Sequence, residues 1–345
     1  MALEPKDEGH LFQIEAGTEG RLKGHKFEEV VTEELNRMDF VSGNTFVESI
    51  KPNVYQGNPA NALISYISQD KGKRVNRLKA YWLGGLATAG TGDNIMNENG
   101  EQITGSKSDI LVDVVYDDGT DERIGVSAKA CSNNAQMALT TVSVFCGMLR
   151  ENGINVSEDA EIGMKMFCGE IGYRPEDGYM PKDMSNVPSD RKARPDRWFW
   201  EELSDSVKKE WEQVFTENQL KITMLLLQCA RTYKTDSYKP TYILHECEKH
   251  TDIDDCKVAV MSVEEFAMYS QLFDTFGIKE KRISKGSYKG IDMAIHQYPH
   301  FGFIQFQPIG NQQNFSELQF NLKSKYYDKF KLLLDKNGEQ KKGGK

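Results

Sequence analysis

Alternation between apolar and polar positions is clearest in the middle of the chain. Two apolar runs, residues 110–116 and 124–128, flank the polar turn 117–120, which contains an Asp-Gly pair. An Asp-Gly pair between two such runs is typical of a β-hairpin. Because successive side chains of a strand point to opposite faces, Ser127 and Lys129 should share one face of the second strand.

Helical periodicity and short apolar runs predict the elements of the remaining chain. The predicted helices are residues 22–38, 59–86, 133–150, 200–215, 218–233 and 263–276. Further strands are predicted at residues 160–168, 242–245 and 257–261, with a second hairpin at 301–308 and 317–323. This mixture of helices and strands predicts an α/β protein.

Composition along the chain suggests a domain organisation. Residues 1–20 are polar and contain glycine, which predicts a flexible arm. A core is predicted over residues 21–170, with a helical insertion at about 40–100. A proline-rich loop then leads into residues 171–345, predicted to serve recognition and dimerisation, and the Lys- and Gly-rich tail at about 336–345 is predicted to be disordered.

Overall composition is that of an ordinary globular protein, with 345 residues, 39% hydrophobic and 28% charged. No run approaches the ~18–20 apolar residues of a membrane span, and the first residues lack a signal-peptide pattern. Six cysteines in so long a chain fit a reducing compartment, so we expect a cytoplasmic protein with no membrane partner. The net charge of −9 argues against a purely electrostatic nucleic-acid binder but leaves room for a local basic groove.

The first hairpin also carries candidate chemistry. Asp109 lies at the start of its first strand and Lys129 at the end of its second, so the two side chains can converge. A carboxylate that binds Mg²⁺, next to an ammonium, suits phosphodiester hydrolysis. The alternative is that Asp109 caps a turn while Lys129 extends into water.

The segments G-S-K-S-D-I (residues 105–110) and I-G-V-S-A-K (residues 124–129) resemble the core motif of the PD-(D/E)XK nuclease superfamily, especially type II restriction endonucleases. Asp109 matches the first acid of that motif and Lys129 its lysine. Ser127 departs from the motif, because the family usually has Asp or Glu there. Some members with Ser-x-Lys recruit a carboxylate from a helix instead.

The resemblance implies a fold and an activity. It implies a restriction-endonuclease-like core, with a mixed central sheet flanked by helices, followed by an α+β C-terminal region. It implies Mg²⁺-dependent, site-specific cleavage of double-stranded DNA by a homodimer.

A third acid is expected in the first helix. Residues 24–28, G-H-K-F-E, resemble the G-x-x-F-E first helix of many of these nucleases, which makes Glu28 a metal ligand alongside Asp109. The alternatives are a solvated helix face at Glu28, or Glu48 or Asp113 as the acid. The predicted catalytic set is therefore Asp109, Lys129, Ser127 and Glu28.

Basic and amide side chains provide candidates for DNA contact. Arginine and lysine next to aromatic residues suit phosphate contact, and amides can pair with adenine. The candidates are Lys73, Arg74 and Arg77, the loop residues Arg191, Arg194 and Arg197, and Gln136 at the start of a predicted helix. A weaker hypothesis assigns base readout to Gln305, Gln307, Gln319 and Asn321. The alternative in each case is a solvated surface.

Other functions stay open. A structure-specific or phage recombination nuclease would use the same site, and Ser127 also fits a non-catalytic DNA-binding protein with a degraded nuclease site. A zinc site is a further question, because zinc-capable side chains cluster after residue 244. They are His245, Cys247, His250 and Cys256, without the usual zinc spacing.

Overall fold

The computed structural model describes residues 8–41, 46–84, 95–97, 99–103, 105–130, 135–191, 195–229, 238–248, 251–283, 293–308, 317–323 and 325–330. The helices are α1 (Glu8–Arg37), α2 (Pro59–Lys71), α3 (Val142–Glu151), α4 (Glu158–Cys168), α5 (Asp205–Gln228) and α6 (Val263–Phe273). The first strands are β1 (Ser49–Lys51), β2 (Val54–Gln56), β3 (Val75–Trp82), β4 (Ile110–Tyr116), β5 (Asp121–Ala130) and β6 (Gln136–Thr141). The later strands are β7 (Pro240–Glu246), β8 (Lys257–Ser262), β9 (Phe276–Arg282), β10 (Ile295–Phe301), β11 (Ile304–Pro308) and β12 (Glu317–Leu322).

The chain forms two compact units that interleave along the sequence. The seven-strand unit consists of residues 20–135, 224–269 and 323–345, and the five-strand unit of residues 1–19, 136–223 and 270–322. The sequence had predicted a single division near residue 170. The chain instead leaves the seven-strand unit after β5 and returns to it before β7.

The sheet of the seven-strand unit has the order β1-β2-β8-β7-β5-β4-β3. Strands β3, β4 and β5 form an antiparallel meander, whereas β5 and β7 pair in parallel. A parallel pair needs a long crossover, which the five-strand unit and the end of α5 provide. The predicted α/β class, with a mixed central sheet flanked by helices, is confirmed.

The inner strands of this sheet are buried, and helix α1 lies along its edge strand β3. The face of β4 that carries Ile110, Val112 and Val114 is fully buried, as expected for an inner strand covered by helices. Helix α1 has an apolar stripe with i, i+4 spacing that ends at Leu35. Its Asn36 side chain donates to the Ala80 carbonyl at 2.9 Å and accepts from the Ala80 N–H at 2.8 Å, which fixes α1 along the edge strand β3.

The five-strand unit contains an antiparallel sheet of order β6-β12-β11-β10-β9. Helices α3 and α4 and the first part of α5 belong to the same unit. Their shared core is aromatic, with Phe215 stacked on Phe306 at 5.0 Å and Phe145 at 5.0 Å from Phe320. This unit has the α+β character predicted for residues 171–345, but it includes residues 136–170 and excludes β7 and β8.

Several predicted elements were wrong. The helix predicted at 59–86 ends at Lys71, because Gly72 adopts a left-handed conformation with φ 62°, and strand β3 follows. Residues 160–168 form helix α4 rather than a strand, so the parallel partner of β5 is β7.

The remaining corrections concern element boundaries. Gln136 begins strand β6 rather than a helix, and α3 starts only at Val142. The predicted arm is helical from Glu8 onward, and the predicted tail lies outside the described residues. Among the described helices, none combines the length and apolar character that a membrane span demands.

Candidate active site

The structure brings Asp109, Ser127 and Lys129 together at one end of the β4–β5 pair. The Asp109 N–H donates to the Val126 carbonyl at 2.9 Å, which continues the ladder to the start of β4. One carboxylate oxygen, Asp109 Oδ2, then accepts three hydrogen bonds. The donors are Ser127 Oγ at 3.2 Å, the Ala128 N–H at 2.8 Å and Lys129 Nζ at 3.0 Å.

The two carboxylate oxygens of Asp109 differ in their hydrogen bonding. The Asp109 and Lys129 side chains are only 19% and 20% exposed, so their ion pair is largely shielded from water. Three donors fix the orientation of the carboxylate, while its second oxygen, Oδ1, accepts no hydrogen bond from the described residues. A carboxylate with one anchored and one available oxygen can hold a divalent cation in a defined position.

Glu28 approaches the same place from helix α1. Its side chain is buried, and Trp82 Nε1 donates to Glu28 Oε2 at 3.3 Å. Burial, together with the nearby negative charge of Asp109, raises the pKa of Glu28 to about 8, although Lys129 and the hydrogen bond from Trp82 act in the opposite direction. A carboxyl group that senses both Asp109 and Lys129 belongs to the same electrostatic site.

The end of strand β3 links the two acids. The N–H groups of Leu83 and Gly84 both donate to the Asp109 carbonyl, at 2.8 and 3.1 Å. A β-carbon on Gly84 would lie 1.8 Å from Glu28 Oε2, so only glycine leaves room for this carboxylate. Trp82 and Gly84 were not predicted as site residues, because residues 59–86 had been taken as one helix. A predicted β3 would have placed both next to Asp109.

The donor set fits a hard divalent cation. Mg²⁺ in proteins is commonly held by one or two carboxylates, with water and phosphate oxygens completing its shell. Asp109 and Glu28 provide two carboxylates. Within the described ranges, no group of three or more His, Cys, Asp or Glu side chains is arranged to hold a metal. The two carboxylates would therefore leave most positions in the shell of such an ion to other oxygen ligands.

The alternative acids are engaged or remote. Asp113 lies on the same strand as the site but forms a two-pronged ion pair with Arg123, at 2.5 and 2.8 Å. Glu48 is exposed and precedes β1, at the opposite edge of the sheet from β3. Glu28, in contrast, is close enough to Asp109 for the charge of that carboxylate to raise its pKa.

The zinc-capable side chains are used for packing. The His245 ring stacks on Tyr326 with a centroid separation of 5.5 Å, and its Nδ1 hydrogen-bonds to the Tyr326 hydroxyl at 3.1 Å. Cys247 and Cys256 are buried, and burial raises the pKa of each thiol to about 12. His250 lies outside the described residues.

The first group of basic candidates lies around β3. Lys73 is ion-paired with Asp118 at 2.8 Å and donates to the Thr120 hydroxyl. Arg74 and Arg77 are exposed, and neither forms an ion pair with the described residues. Arg77 lies on the edge strand β3, not on the helix face that the sequence had suggested.

The loop arginines are held inside the five-strand unit. Arg191 forms a bidentate ion pair with Glu202, at 2.6 and 2.9 Å, and its guanidinium lies 4.7 Å from the centre of the Trp198 ring. Arg197 is only 5% exposed and covers the Phe199 ring. Both arginines stabilise their own unit, so the expected DNA contact does not fit them. Arg194 lies outside the described residues.

Gln136 belongs to a row of amides on the five-strand sheet. Gln307 Nε2 donates to Gln319 Oε1 at 3.3 Å, and Gln319 Nε2 donates to Gln136 Oε1 at 3.0 Å. The three residues lie on β11, β12 and β6, which are neighbours in the sheet. The amides therefore satisfy one another across β11, β12 and β6.

No family model matches the chain. No curated protein matches it either. Among solved structures, it is similar to the restriction endonuclease MspI in complex with its cognate DNA, with 10% identity, a TM-score of 0.39 and 75% of each chain covered. A similarity this low does not establish an activity.

Proposed function

We propose that this protein is a Mg²⁺-dependent endonuclease of restriction type that cuts double-stranded DNA at specific sites. The observation that supports this most directly is the meeting of Asp109, Lys129 and Glu28. These residues are separated by up to 101 positions in the sequence, from Glu28 to Lys129. Two carboxylates and an ammonium at one buried strand end suit phosphodiester hydrolysis.

Each residue has a distinct role in this proposal. Asp109 and Glu28 would hold Mg²⁺, which when bound polarises the phosphate and lowers the pKa of a water molecule. The Lys129 ammonium orients the attacking water and stabilises the negative charge that builds on the phosphate. Ser127 donates to Asp109 and keeps its carboxylate oriented.

Cutting both strands of a duplex with this site calls for two copies of the chain. A homodimer would place one site on each strand of a symmetric target. In this proposal the five-strand unit supplies recognition or dimer contacts, and the Arg74 and Arg77 side chains contact the DNA backbone.

The test is plasmid cutting by purified protein with Mg²⁺ or Mn²⁺. Asp109→Asn and Lys129→Met should each lower the cutting rate at least ~10²-fold, because each removes a charge from the reacting centre. The matched control is Lys71→Met, which breaks an ion pair with Glu122 in the same unit, with side chains 32% and 36% exposed. We expect this control to cut like the wild type.

The result also separates the alternatives. Fragment ends that share a sequence support the restriction type, whereas ends without a shared sequence indicate a structure-specific nuclease. No cutting by the wild type with either metal, or full cutting by Lys129→Met, would overturn the proposal.

Ser127 favours a second candidate, a non-catalytic DNA-binding protein that retains a weakened nuclease site. With serine at this position, the protein supplies two carboxylates rather than three. Calorimetric titration of Mg²⁺ into the protein–DNA complex distinguishes the two functions. Binding that Asp109→Asn abolishes supports the nuclease, and wild-type protein without metal binding supports the second candidate.

A further inference from the structure

Strand β9 forms a cationic edge on the five-strand unit. It is the last strand in the order β6-β12-β11-β10-β9, and among the described strands it pairs only with β10. Its residues from Ile278 to Arg282 are all exposed. Lys279, Lys281 and Arg282 provide three positive charges there, against the single negative charge of Glu280.

Among the described residues, these three cations have no acidic partner. Neither Lys279 nor Lys281 forms an ion pair there, and the Arg282 guanidinium donates to the Met293 carbonyl at 3.1 Å. Other cations of the same unit are paired. Examples are Lys165 with Glu161, Lys182 with Asp159, and Lys208 with Asp205. In a chain with a net charge of −9, an unneutralised basic edge is suited to an external anion.

The geometry of the edge suits an extended anion. Lys279 pairs across to Tyr298 and Lys281 to His296, so the two lysines stand on the same face of the sheet. Alternate residues of an antiparallel strand are about 6.8 Å apart. Neighbouring phosphates of one DNA strand rise ~3.4 Å along the duplex axis, and the winding of the strand places them on the order of 6–7 Å apart in space. The two lysines can therefore contact successive phosphates of one strand.

We propose that the β9 edge, defined by Lys279, Lys281 and Arg282, binds the phosphate backbone of duplex DNA independently of sequence. This inference rests on the proposed function and adds a contact that the catalytic residues do not provide. Charge complementarity carries it. The competing explanation is that the lysines only prevent the exposed edge from pairing with another chain, a common use of charge on edge strands.

The test compares two triple variants with the same change in net charge. The first is K279Q/K281Q/R282Q. The matched control is K182Q/K208Q/K209Q, which removes three cations elsewhere on the five-strand unit, two of them already ion-paired. Binding of a labelled duplex is measured by fluorescence anisotropy in EDTA at several salt concentrations, with thermal unfolding of each variant as a check on folding.

We expect the β9 variant to bind the duplex more weakly, with an affinity that depends less steeply on salt concentration. Each phosphate contact contributes ~0.9 to the slope of log K against log salt, so three lost contacts lower the slope by about 2.7. The control should retain the wild-type slope. Equal losses in both variants would show an effect of net charge alone and overturn the inference.

Three further outcomes are informative. A β9 variant that binds like the wild type but forms larger oligomers in gel filtration would assign the lysines to edge protection and refute the DNA contact. If the wild type binds and cuts DNA and the β9 variant does so equally well, this inference is refuted and the proposed function stands. A wild type that binds no duplex at any salt concentration defeats both.

Discussion

Replacing Gly84 with alanine should displace the Glu28 carboxylate and leave the fold intact. The added β-carbon would lie 1.8 Å from Glu28 Oε2 and 3.0 Å from Trp82 Nε1, the donor that holds this carboxylate. Gly84 is not in the left-handed region, so alanine is compatible with its backbone. The strain therefore falls on the Glu28 side chain and its bond to Trp82.

The size of the displacement sets the expected effect. Ordinary van der Waals contact begins at 3.4 Å, so moving Oε2 from 1.8 Å to that distance requires about 1.6 Å. A misplacement of about 1 Å in a reacting group can cost ~10²-fold in rate. We therefore expect Gly84→Ala to cut DNA at least ~10²-fold more slowly. The free energy of unfolding should change by about 1 kcal/mol or less, since a single flexible carboxylate absorbs the shift.

The assay is the initial rate of plasmid cutting over a range of Mg²⁺ concentrations, alongside urea unfolding. Gly105→Ala is the matched control, because a β-carbon there meets nothing within 4 Å and the residue lies in the same unit, shortly before Asp109. A Gly84→Ala protein with the wild-type rate and Mg²⁺ requirement would refute the placement of Glu28 in the site. A protein that fails to fold would instead show that Gly84 has a structural role beyond this contact.

Two other predictions concern stability. Because burial raises the pKa of Glu28 above its unfolded value, the stabilising contribution of its protonated form is complete below pH ~4.5 and is lost as the pH rises toward 8. Wild-type stability in EDTA should therefore fall over that window more steeply than that of Glu28→Gln, and parallel curves by urea unfolding at pH 5 and pH 8.5 would contradict the assignment. Arg191→Met leaves the buried Glu202 carboxylate without its cation, so we expect a loss of about 3 kcal/mol in the free energy of unfolding. Lys182→Met, which breaks an exposed pair with Asp159, should have a much smaller effect on the free energy of unfolding, and equal losses would show that burial does not matter here.

The β4–β5 hairpin could be predicted because its information is local. The Asp-Gly turn and the alternation on either side fix the register between Ile110 and Val126, and that register brings Asp109 and Lys129 together. Strand β3 lacks such a signal. A register irregularity between Val75 and Arg77 interrupts its alternation, and its polar residues Asn76, Arg77 and Lys79 are exposed. The helical pattern of α2 therefore seemed to continue through it.

The long-range features had no local signal at all. Strand β7 pairs with β5 in parallel although the whole middle part of the five-strand unit separates them in sequence. The sequence also could not show that Glu202 would neutralise Arg191, since a loop arginine next to aromatic residues looks the same whether it faces DNA or a buried carboxylate. A cluster of arginines in the sequence predicts that an anionic partner exists, but only the packing of the chain shows whether that partner is DNA or a carboxylate of the protein.

Ser127 explains how a site with two carboxylates can remain compact before a cation binds. A carboxylate at that buried position would face Asp109 with only Lys129 to balance the two charges, and burying an unpaired charge is costly. The serine hydroxyl instead donates to Asp109, so the ion pair is satisfied without a metal. In the proposed nuclease, the missing ligand would then come from the substrate, because Mg²⁺ completes its shell with water and phosphate oxygens. In the proposed nuclease, Mg²⁺ and DNA should therefore bind together, and a calorimetric Mg²⁺ titration should be tighter with duplex present than without it.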